Sequence, residues 1–235
     1  MVFENPLDGL LWSSDAIALL ENLNSAERGI VVKHAPTSYC RYGVPYQKRT
    51  NLFTSLTGLQ LPAPCSQRRP CTALAQLGRH AEQASGQPAE ILNHVPIALI
   101  TAVLNEWVRV ARFSHFLLID AFSGFGSVAR AAHAYEQARI WVVTNDLFRD
   151  AVDFDCGQAC ILEHLCRMGL AELQREEPAL RRENVNVLFW LSTPCQTYGP
   201  QGRGHHRPKQ GPCTPLARAH DAMNMHLARY LYCEL

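Results

Sequence analysis

Residues 116–126 read FLLIDAFSGFG, and the fold follows from how this stretch is parsed. Phe116-Leu117-Leu118-Ile119 is a short apolar run without polar alternation, the pattern of a strand buried on both faces. It ends in an acid, Asp120. Ala121-Phe122-Ser123-Gly124-Phe125-Gly126 follows as a glycine loop, and VARAAHAYEQA (128–138) reads as a helix. Outward in the C-terminal direction, Ile140–Thr144 is a second apolar strand that stops at Asn145-Asp146-Leu147. A polar, helical stretch runs from about Cys156 to Arg182. Val185–Leu191 is a third strand and opens into Leu191-Ser192-Thr193-Pro194-Cys195-Gln196-Thr197-Tyr198-Gly199. Strands alternating with helices predict an α/β fold with a mostly parallel, doubly wound, Rossmann-like sheet and ligands at its carboxyl edge.

Outward in the other direction, Asn93-His94-Val95-Pro96 precedes a well-patterned helix, IALITAVLNEWVRV (97–110). Residues 29–86 show little apolar periodicity and read as a small irregular lobe. At the start, Val2-Phe3 followed by Glu4-Asn5-Pro6 reads as the end of a strand. At the other end, Leu216–Leu235 is a helical run with no strand after it. The expected organisation is one domain: 1–28 with the Glu4-Asn5 segment, 29–86 the small lobe, and 87–235 the glycine loop and the cysteine loop.

Bulk properties narrow the function classes. The chain has 235 residues, enough for one sizeable α/β domain. Its net charge of +1 gives no global basic field, so any nucleic-acid surface must be local. No apolar run approaches the roughly 20 residues of a membrane span, and the first residues lack the basic start and cleavage site of a secretory signal. Nine cysteines, an odd number in a chain too large to need disulfide staples, point to free thiols in a reducing, intracellular setting, cytoplasmic or nuclear.

The glycine loop lets backbone approach a ligand, yet it lacks both the dinucleotide fingerprint and the Lys-Ser/Thr of a phosphate loop. A cofactor with a charged amino-acid tail suits it better. Asp146, at the end of the next strand, is placed to bind ribose hydroxyls. Cys195 sits on a polar loop leaving a strand, with Arg203, His205, His206, Arg207 and Lys209 downstream to favour a thiolate. The bland reading of each is a tight turn and a small buried hydrophobe.

These residues also carry a family resemblance. Asp120-x-Phe122-Ser123-Gly124-x-Gly126, Pro194-Cys195-Gln196, Glu4-Asn5, Tyr42-Gly43-Val44-Pro45 with Gln47-Lys48-Arg49, and Asn93-x-Val95-Pro96 resemble five ordered motifs of the DNA (cytosine-5)-methyltransferases, most closely compact phage- and virus-like members. Their order differs: Glu-Asn comes first and Pro-Cys-Gln last, as in a circularly permuted chain. The resemblance implies S-adenosylmethionine as cofactor, held by Asp120, Phe122, Ser123, Gly124, Gly126, Asp146, Leu147, Asn93 and Pro194. It implies Cys195 as nucleophile, Glu4 as the carboxyl beside the cytosine ring, and Lys48 or Arg49 as a cation near the ring oxygen. Tyr46 and Thr50 depart from the family's Gln-x-Arg-x-Arg. DNA is the implied partner, with Gln196, Arg203, Arg207, Arg68, Arg69 and Arg79 as candidate contacts. RNA is the alternative substrate, and a binding module without catalysis is the rival class. The oligomeric state is not fixed by sequence; a monomer is the working expectation.

Cys40, Cys65, Cys71 and His80 lie within the irregular segment. A structural zinc would order it, and Cys₃His is a common ligand set; the alternative is free cysteines in a loop-rich lobe. Cys156, Cys160 and His164 share one helical face and suit packing.

Overall fold

A computed structural model describes residues 1–25, 30–84, 87–124, 126–145, 161–193, 198, 206–207 and 214–234. Its centre is a six-stranded sheet: β1 (Val2–Pro6), β2 (Lys33–Ser38), β3 (Arg49–Thr54), β4 (His115–Asp120), β5 (Ile140–Thr144) and β6 (Val185–Leu191). The spatial order is β2-β3-β1-β6-β4-β5. β1, β6, β4 and β5 run parallel, and β3 lies antiparallel to both β1 and β2. The helices are α1 (Asp15–Glu21), α2 (Thr72–Leu77), α3 (Ala89–Leu92), α4 (Ile97–Val110), α5 (Ser127–His133), α6 (Ile161–Glu176) and α7 (Pro215–Glu234).

The absence of polar alternation in the strand sequences has its cause in two buried faces. Val2, Leu52, Phe116, Leu118, Leu188 and Trp190 pack on one side with α4 and α5. Phe3, Phe53, Leu117, Ile119, Phe189 and Leu191 pack on the other with α1, α6 and α7. Such double coverage is the rule for parallel strands. The three strands read from the second half of the sequence are all present. β1 is longer than a strand ending at Phe3: it continues through Glu4 to Pro6 and is paired on both sides, with β3 and β6.

Residues 29–86 are not irregular throughout. Residues 33–38 and 49–54 are two strands of the main sheet; the loop-rich part begins after Thr54. KHAPTS and RTNLFT escape a sequence reading because both faces of β3 are covered and β2 is a polar edge strand with Pro36 exposed in its middle. Proline is tolerated in a sheet at such an edge.

On the second face, α6 comes close to the sheet at Gly169. A Cβ there would meet Leu117 Cδ1 at 2.5 Å and Val143 Cγ2 at 2.9 Å. α7 is anchored by a polar cluster. Tyr198 donates to Asp221 Oδ1 (2.7 Å) and accepts from Asn224 Nδ2 (2.8 Å). Arg207 makes a bidentate pair with Asp221 (2.9 and 2.7 Å), donates to the Ala217 carbonyl (3.1 Å) and lies 4.1 Å over the Tyr198 ring. The sequence puts Arg207 among the nucleic-acid contacts. The structure instead leaves its side chain 9% exposed and neutralised by Asp221. Asp221 is 14 residues away on a helix, so the pairing is invisible in sequence. His220, 3% exposed, stacks on Tyr198. Burial, helped by the nearby Arg207 charge and His206, brings its pKa down to about 4.

Two outcomes follow. Gly169→Ala, which in an ordinary helix interior would stabilise by about 0.5–1 kcal/mol, should here lower stability by roughly 1–3 kcal/mol through overpacking, read by urea denaturation. His220 titrates lower in the folded chain than the ordinary 6.5, so the unfolded chain binds the extra proton. Stability is therefore complete above pH 6.5 and falls between about pH 6.5 and 4, by roughly 3 kcal/mol in all. His220→Phe should flatten that part of the stability–pH profile.

Candidate functional site at the carboxyl edge of the sheet

Four parallel strands end on one edge, and their register decides what meets there. Asp120 is level with Trp190, and Trp190 with Val2. Asp120 therefore closes β4, Ser192 and Thr193 follow β6, and Glu4 and Asn5 lie in the last turns of the pleat of β1, just before Pro6. Glu4 shares the parity of Val2, so it projects to the α4/α5 face, as Asp120 does. Asn5 projects to the other face, where its Nδ2 donates to the Thr193 carbonyl (2.8 Å) and Thr193 Oγ1 (3.2 Å). Cys195 follows Thr193 by two residues. Pro194, Cys195, Gln196 and Arg203 lie outside the described residues.

Glu4 is 5% exposed. Its Oε1 accepts from the Tyr39 hydroxyl (2.9 Å) and from Thr50 Oγ1 (2.5 Å), whose proton is shared with the Asn5 carbonyl (2.9 Å). Among the described residues both hydrogen bonds to this carboxyl fall on Oε1. Lys48 Nζ lies 4.6 Å over the Tyr39 ring and reaches its hydroxyl at 3.5 Å, so a cation stands one residue removed from Glu4. Lys48 also donates to the Leu92 carbonyl (2.9 Å), which ties the chain before Asn93 to the same network. Asn93 itself is exposed. Arg49 has the opposite parity, is half exposed, and faces Asp8 at 3.6 Å. Of the two candidate cations, Lys48 is the one joined to Glu4.

The glycine loop spans the end of β4 and the start of α5. Ser123 N donates to the Asn145 carbonyl (3.1 Å) and Asn145 N to the Asp120 carbonyl (3.0 Å), so the ends of β4 and β5 are stitched together. Phe122 is buried, Asp120 is 1% exposed, and Gly124 and Gly126 adopt φ of 47° and 68°. Among the described residues, a Cβ at Gly124 would meet nothing nearer than 4.0 Å. Glycine is needed there for backbone conformation. Asp146 and Leu147 lie outside the described residues.

Beside the β3 end of this edge, Gln47, Arg49, Ala63, Pro64, Cys65, Ser66, Arg68 and Arg69 line a cleft of about 550 Å³. Arg68, Arg69 and Arg79 are exposed. Behind the cleft, Cys40, Cys65, Cys71 and His80 bring one ligand atom each within 4.8 Å of one another, a possible metal-binding cluster.

Sequence reasoning overlooks Tyr39 and reads Thr50 only as a departure from the Gln-x-Arg-x-Arg motif. In the structure Thr50 is a hydroxyl donor to the buried carboxyl. A tyrosine in a segment with little apolar periodicity is too weak a signal to single out. No family model matches the chain, and neither curated proteins nor solved structures show a match.

Thr50→Val keeps the shape of the side chain but leaves two buried acceptors short of a donor. It should cost about 1–3 kcal/mol of stability in denaturant unfolding; an unchanged midpoint would mean that Thr50 does not support Glu4.

Proposed function

We propose that this chain transfers a methyl group from S-adenosylmethionine to carbon 5 of cytosine in DNA, through a transient bond between Cys195 and the base. One observation carries the reading. Residues from opposite ends of the chain, Glu4-Asn5 and Ser192-Thr193, end adjacent parallel strands and are hydrogen-bonded through Asn5, so the carboxyl stands beside the root of the cysteine loop. A circularly permuted order of motifs accounts for that adjacency.

Carbon 5 of cytosine is a weak nucleophile. Addition of the Cys195 thiolate to carbon 6 makes the ring enamine-like, splitting one hard step into two easier ones. Glu4, oriented by Tyr39 and Thr50, holds ring N3 as charge develops, and Lys48 supplies positive charge toward the ring oxygen. Once carbon 5 carries the methyl, a base (water or a residue of the site) takes its proton, the C5–H electron pair re-forms the ring double bond, and the S–C6 bond breaks to release methylated cytosine and the Cys195 thiolate. Asp120, Phe122, Ser123, Gly124 and Gly126, with Asp146, Leu147, Asn93 and Pro194, would hold the cofactor, which supplies an electrophilic sulfonium methyl when bound. The left-handed backbone at Gly124 and Gly126 and the acid at the end of β4 fit such a ligand. The base has to leave the duplex to be reached, at a cost of a few kcal/mol. Arg68 and Arg69 on the rim of the 550 Å³ cleft are suited to phosphates.

Trapping decides the matter. With DNA containing 5-fluorocytosine, from which no proton can be lost, and S-adenosylmethionine, wild-type protein should form a denaturation-resistant adduct. Cys195→Ser should form none while binding cofactor normally, and Glu4→Gln should lower turnover by roughly 10²–10⁴-fold. Adduct on matched RNA alone would reassign the substrate. No adduct on either leaves a binding module and ends the catalytic reading.

A further inference from the structure

We propose that Cys40, Cys65, Cys71 and His80 bind one zinc(II) ion as a closed structural centre, and that this ion fixes the loop bearing Arg68 and Arg69. The geometry is the first argument. Tetrahedral zinc, with bonds of about 2.3 Å to sulfur and about 2.0–2.1 Å to nitrogen, requires S···N edges of about 3.6 Å. His80 Nε2 lies 3.6 Å from Cys65 Sγ and 3.4 Å from Cys71 Sγ. All four ligand atoms fall within 4.8 Å of one another, and the three thiols are 9%, 3% and 3% exposed. Four protein ligands leave no position for a substrate, and three thiols with an imidazole favour zinc over hard cations.

The second argument is what the loop lacks. No side chain of α2 is fully buried, and Leu77 is 64% exposed. The only buried residues of the local cluster are the three cysteines, with Ala73 and Leu74 packed against them, apart from both main cores. Too little apolar surface is covered to order such a segment, and a metal is the usual substitute. The ligands also come from two places. Cys40 sits on the helical turn directly after β2, rigid with the sheet, whereas Cys65, Cys71 and His80 belong to the loop. One ion would rivet loop to sheet. The surrounding bonds have the orientation expected of an outer shell. Cys71 N donates to Cys65 Sγ (3.3 Å), Cys65 N to Ser38 Oγ (3.0 Å), and Gln47 Nε2 to the Cys65 carbonyl (2.7 Å). Arg41 donates to the carbonyls of Ala63, Pro70 and Arg69. Arg68 and Arg69 lie between ligands Cys65 and Cys71, so the ion sets their distance from Arg49 across the cleft.

The test needs no substrate. Full-length protein purified without chelator should contain about one zinc per chain by elemental analysis, and Cys71→Ser and His80→Ala less than about a tenth of that. Cys233→Ser, at an exposed cysteine on α7, should keep its zinc. If the ligand variants do not fold, reduced apo-protein refolded with cobalt(II) should show the intense visible bands of a tetrahedral cobalt thiolate. Absent stoichiometric zinc with absent cobalt bands, iron in its place, or a disulfide among these cysteines by mass spectrometry would each overturn the proposal. The role of the arginines rests on the methyl-transfer reading. Zinc removal should weaken DNA binding at least tenfold while S-adenosylmethionine binding persists. Zinc present without DNA binding would sink that reading and spare the metal site.

Discussion

Everything at the carboxyl edge depends on the pairing of β1 with β6. Two strands from opposite ends of the chain lie parallel at the middle of the sheet, and only two register pairs, Val2 with Trp190 and Phe3 with Leu191, set their alignment. A slip of one residue would turn Glu4 to the opposite face and exchange the burial of Val2 and Phe3. The slip is resisted by packing, since Val2 and Phe3 are both fully buried, in different cores. Asn5 adds a check at the end of the strand, because its bond to the Thr193 carbonyl is available only in the observed register. Backbone pairing, core packing and one amide thus agree on where the carboxyl stands.

That carboxyl is also supported from the other side. β3 is the single reversed strand, so its start reaches the edge where the parallel strands finish. Lys48, Arg49 and Thr50 arrive there from one short stretch, and alternation distributes them: Lys48 and Thr50 toward Glu4, Arg49 away from it. One hydroxyl on β3 and one on the turn after β2 hold Oε1, which links the candidate catalytic edge to the same turn that carries Cys40.

Much of this was legible in the sequence. The strands around Leu118, Val142 and Leu188 were readable because parallel strands are continuously apolar, and the glycine loop because two glycines punctuate strand and helix. Glu4 and the cysteine loop were joined only by their resemblance to a known order of motifs, since residues so far apart have no local signal. β2 and β3 escape such a reading because their polar and apolar residues follow the hydrogen-bonding needs of a site and an edge. A charge in a basic-looking loop gives no hint of Asp221, the acid that Arg207 meets on α7. The thiols and the imidazole are visible as residue types, but their convergence from two segments requires the fold.

Pro36 has a consequence beyond its own strand. It lies exposed in β2, the outermost of the described strands on that side, and a proline nitrogen has no hydrogen to offer a neighbour. An extended peptide laid along β2 would find the row of donors interrupted and a ring in its path. This flank of the sheet therefore resists extension by a foreign strand, which guards the molecule against edge-to-edge aggregation while leaving the opposite ends of the strands free for chemistry.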